Sequence, residues 1–307
     1  MKKILMRLFY FFIPLIIASL FILIIDPYNY FFNHNFIPDN VKFKVVNRSA
    51  ESMPRGNTLW KYIDFGRHPK KNIIIGDSRA YDLNVSLIKK ITNQDYYNFG
   101  VPGANYKSII ETFWYVAKII KPDKIYIQTS FHTYTSTNNY YLMTDAKKVC
   151  KSPYLFFTRI YFLSESILDF YYRTDSNYVN QVKAEKFDEV AWNKTLKNQR
   201  ESNLNKRIYP VDYYNQLKEI SDYCKKNYIE LNFIIFPDQK DFHDLITSYS
   251  LNNDYLKYKD DIHSLGNVID FDLPGSTLIP DRNNYRDIYH LKLELINDSI
   301  IPAIWKN

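Results

Sequence analysis

A serine, a carboxylate and an imidazole that could work together stand far apart in this chain. Ser78 lies in the stretch Ile73-Ile74-Ile75-Gly76-Asp77-Ser78-Arg79, and Asp287-Ile288-Tyr289-His290 lies close to the C-terminus. A neutral serine hydroxyl is a weak nucleophile. It needs a histidine to take its proton and a third group to hold the imidazole. Three residues apart, Asp287 and His290 can share one side of a turn and reach the serine together. Two other pairings compete, Asp260-Asp261-Ile262-His263 and Asp241-Phe242-His243. Both precede the final strand and sit amid dense surface charge, whereas the segment after the last strand is free to fold back over the strand ends, which favours Asp287 and His290. Each residue also has an ordinary structural use. Ser78 suits a helix cap, Gly103 a turn, and Arg79 a solvated surface.

The elements that must position these residues follow from hydrophobic period. Asn72 to Ile75 is a short β-branched run, and Leu83, Leu87, Ile88 and Ile91 then recur at helical spacing. Tyr96 to Phe99 predicts a second strand, followed by a helix through Ile109, Phe113, Val116 and Ile120. Lys124 to Gln128 predicts a third. After a break, a helix over 212–226, a strand over 231–236, a helical stretch to about residue 263, a strand over 268–271 and a last helix after His290 resume the alternation. Strands alternating with helices imply one α/β domain around a parallel sheet of about five strands. Ser78 would then project from the C-terminal edge of that sheet, where open α/β folds place ligands.

Residues 133–210 break the rhythm, rich in Tyr, Asn, Lys and Ser, and are expected to form a mostly helical insertion that covers the site. At the other end, Leu8 to Ile25 is a run of 18 uncharged residues behind Lys2, Lys3 and Arg7. As a helix it spans roughly 27 Å at about 1.5 Å per residue. Its end, Ile24-Ile25-Asp26-Pro27, offers no small-x-small cleavage site, so an uncleaved transmembrane anchor is expected, with the basic flank cytoplasmic and the rest of the chain outside. The expected organisation is an anchor over 1–26, a stalk and lead-in over 27–70, and a catalytic domain over 71–307 carrying the insertion.

Composition narrows the function classes. Lys and Arg number 40 against 33 Asp and Glu, a net charge of +7 that is dispersed rather than blocked. Without a basic stripe or a zinc-finger spacing, nucleic acid is not expected as a partner. No compact metal-ligand spacing, glycine-rich phosphate loop or dinucleotide fingerprint occurs, so neither a metal nor another cofactor is expected. Cys150 and Cys224 are too few for a disulfide framework. One bridge between them and two separate thiols are both compatible with the sequence.

Taken together, three blocks resemble the SGNH or GDSL-like hydrolases and acyltransferases: Gly76-Asp77-Ser78, Asn98-Phe99-Gly100-Val101-Pro102-Gly103, and Asp287-x-x-His290. The resemblance spans about 70–307 and implies a flavodoxin-like three-layer sandwich. It also implies Ser78 as nucleophile, His290 as base, Asp287 as its orienter, and an oxyanion hole from the amides of Ser78 and Gly103, with Gly100 permitting the turn. The chain departs from the family at the third block. Gln128-Thr129-Ser130-Phe131-His132 replaces Gly-x-Asn-Asp, so Ser130 or His132 is expected in the pocket beside Asp77, Arg79 and Gly100. Gly-Asp-Ser-Arg with an altered third block is similar to membrane-anchored envelope O-acyltransferases and teichoic acid D-alanyl transfer proteins. That similarity implies acyl transfer or ester cleavage on an envelope polysaccharide or related polymer, with a multi-spanning membrane protein as acyl donor and the lipid bilayer as a further partner. A non-catalytic polymer-binding or assembly subunit is the alternative reading.

Overall fold

The computed structural model describes residues 2–32, 36–48, 55–136, 141–174, 189–198 and 204–306. The side chains of Leu8 and Phe9 and parts of the expected stalk and insertion lie outside the described residues. Helices α1 (Lys2–Ile25), α2 (Asp39–Arg48) and α3 (Arg55–Arg67) precede strand β1 (Asn72–Gly76). Helices α4 (Ser78–Tyr81) and α5 (Val85–Thr92), strand β2 (Tyr96–Gly100), helix α6 (Tyr106–Ile119) and strand β3 (Lys124–Thr129) follow. Next come α7 (Leu142–Lys151), α8 (Leu155–Thr158), α9 (Ile160–Tyr172), α10 (Glu189–Asn198) and α11 (Val211–Lys226). The chain ends with β4 (Glu230–Ile235), α12 (Lys240–Ser248), α13 (Asn252–His263), β5 (Asn267–Asp270), α14 (Leu293–Leu295) and α15 (Ile301–Trp305).

These elements fall into two compact units, one within residues 1–67 and 142–183 and the other within 68–141 and 184–307. The insertion is therefore divided. Helices α7 to α9 join α1 to α3, while α10 belongs with the sheet. Among the described residues no helix is long and apolar enough to cross a membrane. Both cysteines are free.

All five strands of the sheet run parallel in the order β2-β1-β3-β4-β5, the doubly wound order whose direction reverses between β1 and β3. Register explains its two covered faces. Ile74 is level with Asn98 and Tyr126, so even-numbered residues of β1 to β3 share one face and odd-numbered residues the other. On the even face Trp305 packs against Tyr96 and Tyr126. On the odd face Phe99 meets Tyr115 of α6, and Phe113 of α6 meets Tyr223 of α11. Ile73, Ile75, Ile125, Ile127 and Phe233 are fully buried between these layers. At roughly 1.5–3 kcal/mol for each large apolar side chain removed from water, this core outweighs any local propensity in holding the strand ends in place.

Candidate active site

The turn that presents Ser78 is built by its neighbours. Asp77 caps the short helix α4, its carboxylate accepting the Arg79 N–H at 2.8 Å. The Asp77 N–H donates to Gln128 Oε1 at 2.9 Å, Gln128 Nε2 donates to Ser130 Oγ at 2.6 Å, and Ser130 Oγ donates to Asp77 Oδ2 at 2.9 Å. This closed ring of buried hydrogen bonds spans the ends of β1 and β3, where the strand order reverses. Burial by itself would raise the Asp77 carboxyl, but the Arg79 charge and the hydrogen bonds donated by the Arg79 N–H and the Ser130 hydroxyl hold it below its ordinary value.

Arg79 is the largest charge in this layer and is almost fully buried. Its NH1 meets Asp238 Oδ1 at 2.8 Å beyond the end of β4, and its NH2 donates to His132 Nδ1 at 3.2 Å. His132 stacks on Tyr289 at 4.2 Å between ring centres. Burial first, and then the neighbouring Arg79 charge, push His132 down to about 3, so this imidazole is neutral. Arg79 is thus a brace beneath the turn, not a solvated charge.

The glycines divide their work differently from the sequence-based expectation. Gly100 is the last residue of β2, and a Cβ there would lie 2.1 Å from the Tyr81 backbone nitrogen. Only glycine lets α4 pack so closely on the strand. The turn itself falls to Gly103, which has φ +76°.

Facing this turn, the segment after β5 brings in the histidine. His290 Nε2 lies 2.6 Å from Ser78 Oγ, and His290 Nδ1 lies 2.8 and 2.9 Å from the two Asp287 oxygens. A carboxylate can only accept, so Nδ1 carries the proton and Nε2 accepts the Ser78 hydroxyl. Asp287 Oδ1 also accepts the backbone N–H of Tyr289 and His290 at 2.9 and 3.0 Å. Burial opposes ionisation of Asp287, but the hydrogen bond and charge of His290 and those two N–H groups hold it down to about 2. Arg286 secures the segment. Its N–H donates to the His290 carbonyl at 2.7 Å and its guanidinium pairs with Asp82, just past α4.

A cavity of about 560 Å³ opens at Ser78 and His290, lined also by Tyr81, Asp82, Pro102, Trp192, Arg286 and Asp287. Asp77, Arg79, Gly100, Ser130 and His132 are not among its lining residues. They lie behind the Ser78 turn, because Asp77 claims Ser130 and because Arg79 and Tyr289 claim His132. Trp192 of α10 escaped sequence reasoning, since a lone aromatic in an irregular insertion carries no periodic signal. Its indole N–H donates to Asp241 Oδ2 at 2.8 Å, and Arg282 pairs with the same carboxylate at 2.6 Å. The competing histidines are engaged elsewhere, His243 with Asp272 at 3.0 Å and His263 with Asp270 at 3.4 Å.

The arrangement has what serine-based acyl transfer requires: a hydroxyl hydrogen-bonded to a base, the base oriented by a carboxylate, and a space beside them. Among the described residues no group of three or more His, Cys, Asp or Glu side chains is placed to hold a metal ion. No family model and no curated protein matches the chain. Among solved structures, "a putative platelet activating factor" from Streptococcus pneumonia is similar over 83% of this chain and 93% of that one, at 11% identity and a TM-score of 0.43. A likeness at that identity and score assigns no activity.

Proposed function

We propose that the chain is an SGNH-like serine enzyme, membrane-anchored through α1, that cleaves or transfers a small acyl group on an envelope polysaccharide or related polymer. The observation that carries this reading is the unbroken line Ser78 Oγ, His290, Asp287, with separations of 2.6 and 2.8 Å. In the proposed cycle His290 Nε2 takes the Ser78 proton as Oγ attacks the acyl carbonyl. The tetrahedral oxyanion collapses to an acyl-serine as His290 protonates the leaving oxygen. Water or a glycan hydroxyl, deprotonated by the same imidazole, then attacks the ester and frees Ser78. Asp287 holds the tautomer throughout, and the amides of Ser78 and Gly103 are the proposed oxyanion donors.

A second reading has one observation in its favour. With Ser130 and His132 both turned toward the brace, neither stands in for the asparagine of the third block, which suits a polymer-binding or assembly subunit with little turnover. Loss of one oxyanion donor typically costs about a hundredfold to a thousandfold in rate. Incubation with p-nitrophenyl acetate separates the two readings. The enzyme reading expects nitrophenol release and a transiently acetylated Ser78 peptide by mass spectrometry, both absent in Ser78→Ala. Glycan binding with no acetylated peptide would favour the alternative.

A further inference from the structure

Helix α9 buries polar groups beside Phe162 and leaves apolar ones outside. Its polar residues Glu165, Ser166 and Asp169 are buried to 1% exposure or less. Ile160, Ile167 and Tyr171, on the opposite side, are 78%, 52% and 68% exposed, and Phe170 is half-exposed beside them. A soluble amphipathic helix does the reverse. The buried side has its own partners within the same unit. Glu165 Oε1 accepts from Arg55 NH2 at 2.6 Å, Arg55 lies 3.5 Å over the Tyr161 ring, and Ser166 Oγ donates to the Phe162 carbonyl at 2.8 Å.

The exposed face continues onto α1. Phe21 of α1 meets Phe170 of α9 with ring centres 5.9 Å apart, and Phe21 and Tyr172 pack on one cluster with Ile25, Ile37 and Val41. On α1 itself Tyr10, Phe11, Phe12, Ile16, Ile17 and Leu20 are all exposed. At about 100° per residue these point to every side of the helix, so the stretch of α1 from Tyr10 to Ile25 is apolar all round. The joint between α1 and the rest of its unit is fixed. Asp26 turns the chain at φ +46° while its carboxylate accepts the N–H groups of Tyr30, Phe31 and Phe32 at 2.7 to 2.8 Å. Buried Lys42 holds the Asp26 carbonyl at 2.9 Å. A cation borders the exposed face of α9: Arg173, just after the helix, lies 3.7 Å over the Phe170 ring, whereas Arg159, just before it, is paired with Asp145.

We infer that α9 sits in the bilayer with α1, its outward apolar side in the acyl region and Arg173 at anionic headgroups, so that part of the insertion is a membrane seat. This rests on the reading of α1 as a membrane anchor. Lipid is the occupant because α1 from Tyr10 to Ile25 is apolar all round and because the bordering Arg173 suits an anionic headgroup layer. With 13 residues, α9 reaches only about 20 Å and cannot cross a core of about 30 Å, so it lies in one leaflet or its interface.

The full-length chain tests this in vesicles of phosphatidylcholine and phosphatidylglycerol that carry an acyl-chain nitroxide quencher. Single cysteines are placed by Leu20→Cys, Ile167→Cys or Tyr228→Cys in a Cys150→Ser, Cys224→Ser background and labelled with an environment-sensitive fluorophore. Each labelled protein is first checked for an unchanged thermal transition. The expected result is quenching at positions 20 and 167 at least about threefold that at 228, a position 91% exposed. Quenching at 20 without quenching at 167 would overturn the membrane seat while leaving the anchor intact. Quenching at neither would overturn both.

Discussion

Among the histidine–aspartate pairs of the sheet-bearing unit, His290 with Asp287 faces a serine hydroxyl and His243 with Asp272 does not. His290 and Asp287 face Ser78 in a cavity of about 560 Å³. His243 and Asp272 line a larger cavity of about 750 Å³, with apolar walls from Leu256, Leu273, Ile279 and Pro280. There Asp272 also accepts the Tyr255 hydroxyl at 2.5 Å and lies 3.7 Å from Lys259. Burial alone would lower His243, but the hydrogen bond and charge of Asp272, aided by Asp238, raise it. Both pairs thus have a histidine–carboxylate contact and a cavity beside it. What sets His290 apart is the Ser78 hydroxyl donating to its second ring nitrogen.

The largest effect should separate the two pairs at once. Ser78→Ala or His290→Ala should lower ester turnover by about 10⁴-fold or more, and His243→Ala by less than about twofold, read as kcat/KM on p-nitrophenyl acetate. Comparable losses from His243→Ala would erase the distinction. Next in size is the buried link between the regions, where Arg79 pairs with Asp238 and the Asp238 N–H donates to Asp272 at 3.2 Å. Arg79→Met strands a buried carboxylate and should cost about 3–5 kcal/mol, read as a lowered unfolding midpoint. An unchanged midpoint would show that Arg79 is no brace.

His132 offers a finer contrast because its pKa is depressed from 6.5 to about 3. The unfolded chain binds this proton as pH falls through 6.5 while the folded chain does not. Its contribution to stability is thus intact above that pH and declines toward about 3. Between pH 6.5 and 5 the decline should reach about 1–2 kcal/mol, and His132→Gln should flatten it in denaturant titrations. An unaltered acid slope would contradict a neutral, buried His132. Smallest is the tether of the first pair alone. Arg286→Gln should slow turnover about twofold to fivefold through misplacement of His290, with folding retained. A variant at full rate would show that the Asp82 contact does not position the imidazole.

Much of the parallel sheet was legible because each strand is a short β-branched or aromatic run followed by a helical period. The expected strands lie within a residue of β1 to β5, and the order Ser78, Asp287, His290 could be read off the chain. Long-range partners could not. Nothing local tells that Gln128 and Ser130 are taken up by Asp77, or that Arg79 reaches 159 residues ahead to Asp238. Gly100 looked like a turn residue because glycine serves both turns and close approach, and only the backbone of α4 against β2 decides between them. The insertion was the least readable segment. In α9 the acids that suggest a solvated face point inward, so the usual link between polarity and exposure fails, and Trp192 is recruited to the cavity through Asp241, a residue 49 positions away.

Covalent labelling separates a Ser78 made reactive by His290 from an inert hydroxyl. The full chain is treated with a fluorophosphonate and digested, and the modified peptide is sequenced by mass spectrometry. One stoichiometric adduct is expected on Ser78, abolished in Ser78→Ala, strongly slowed in His290→Ala and unaffected in His243→Ala. An unmodified Ser78 in folded protein, or labelling that proceeds at the same rate without His290, would contradict that activation.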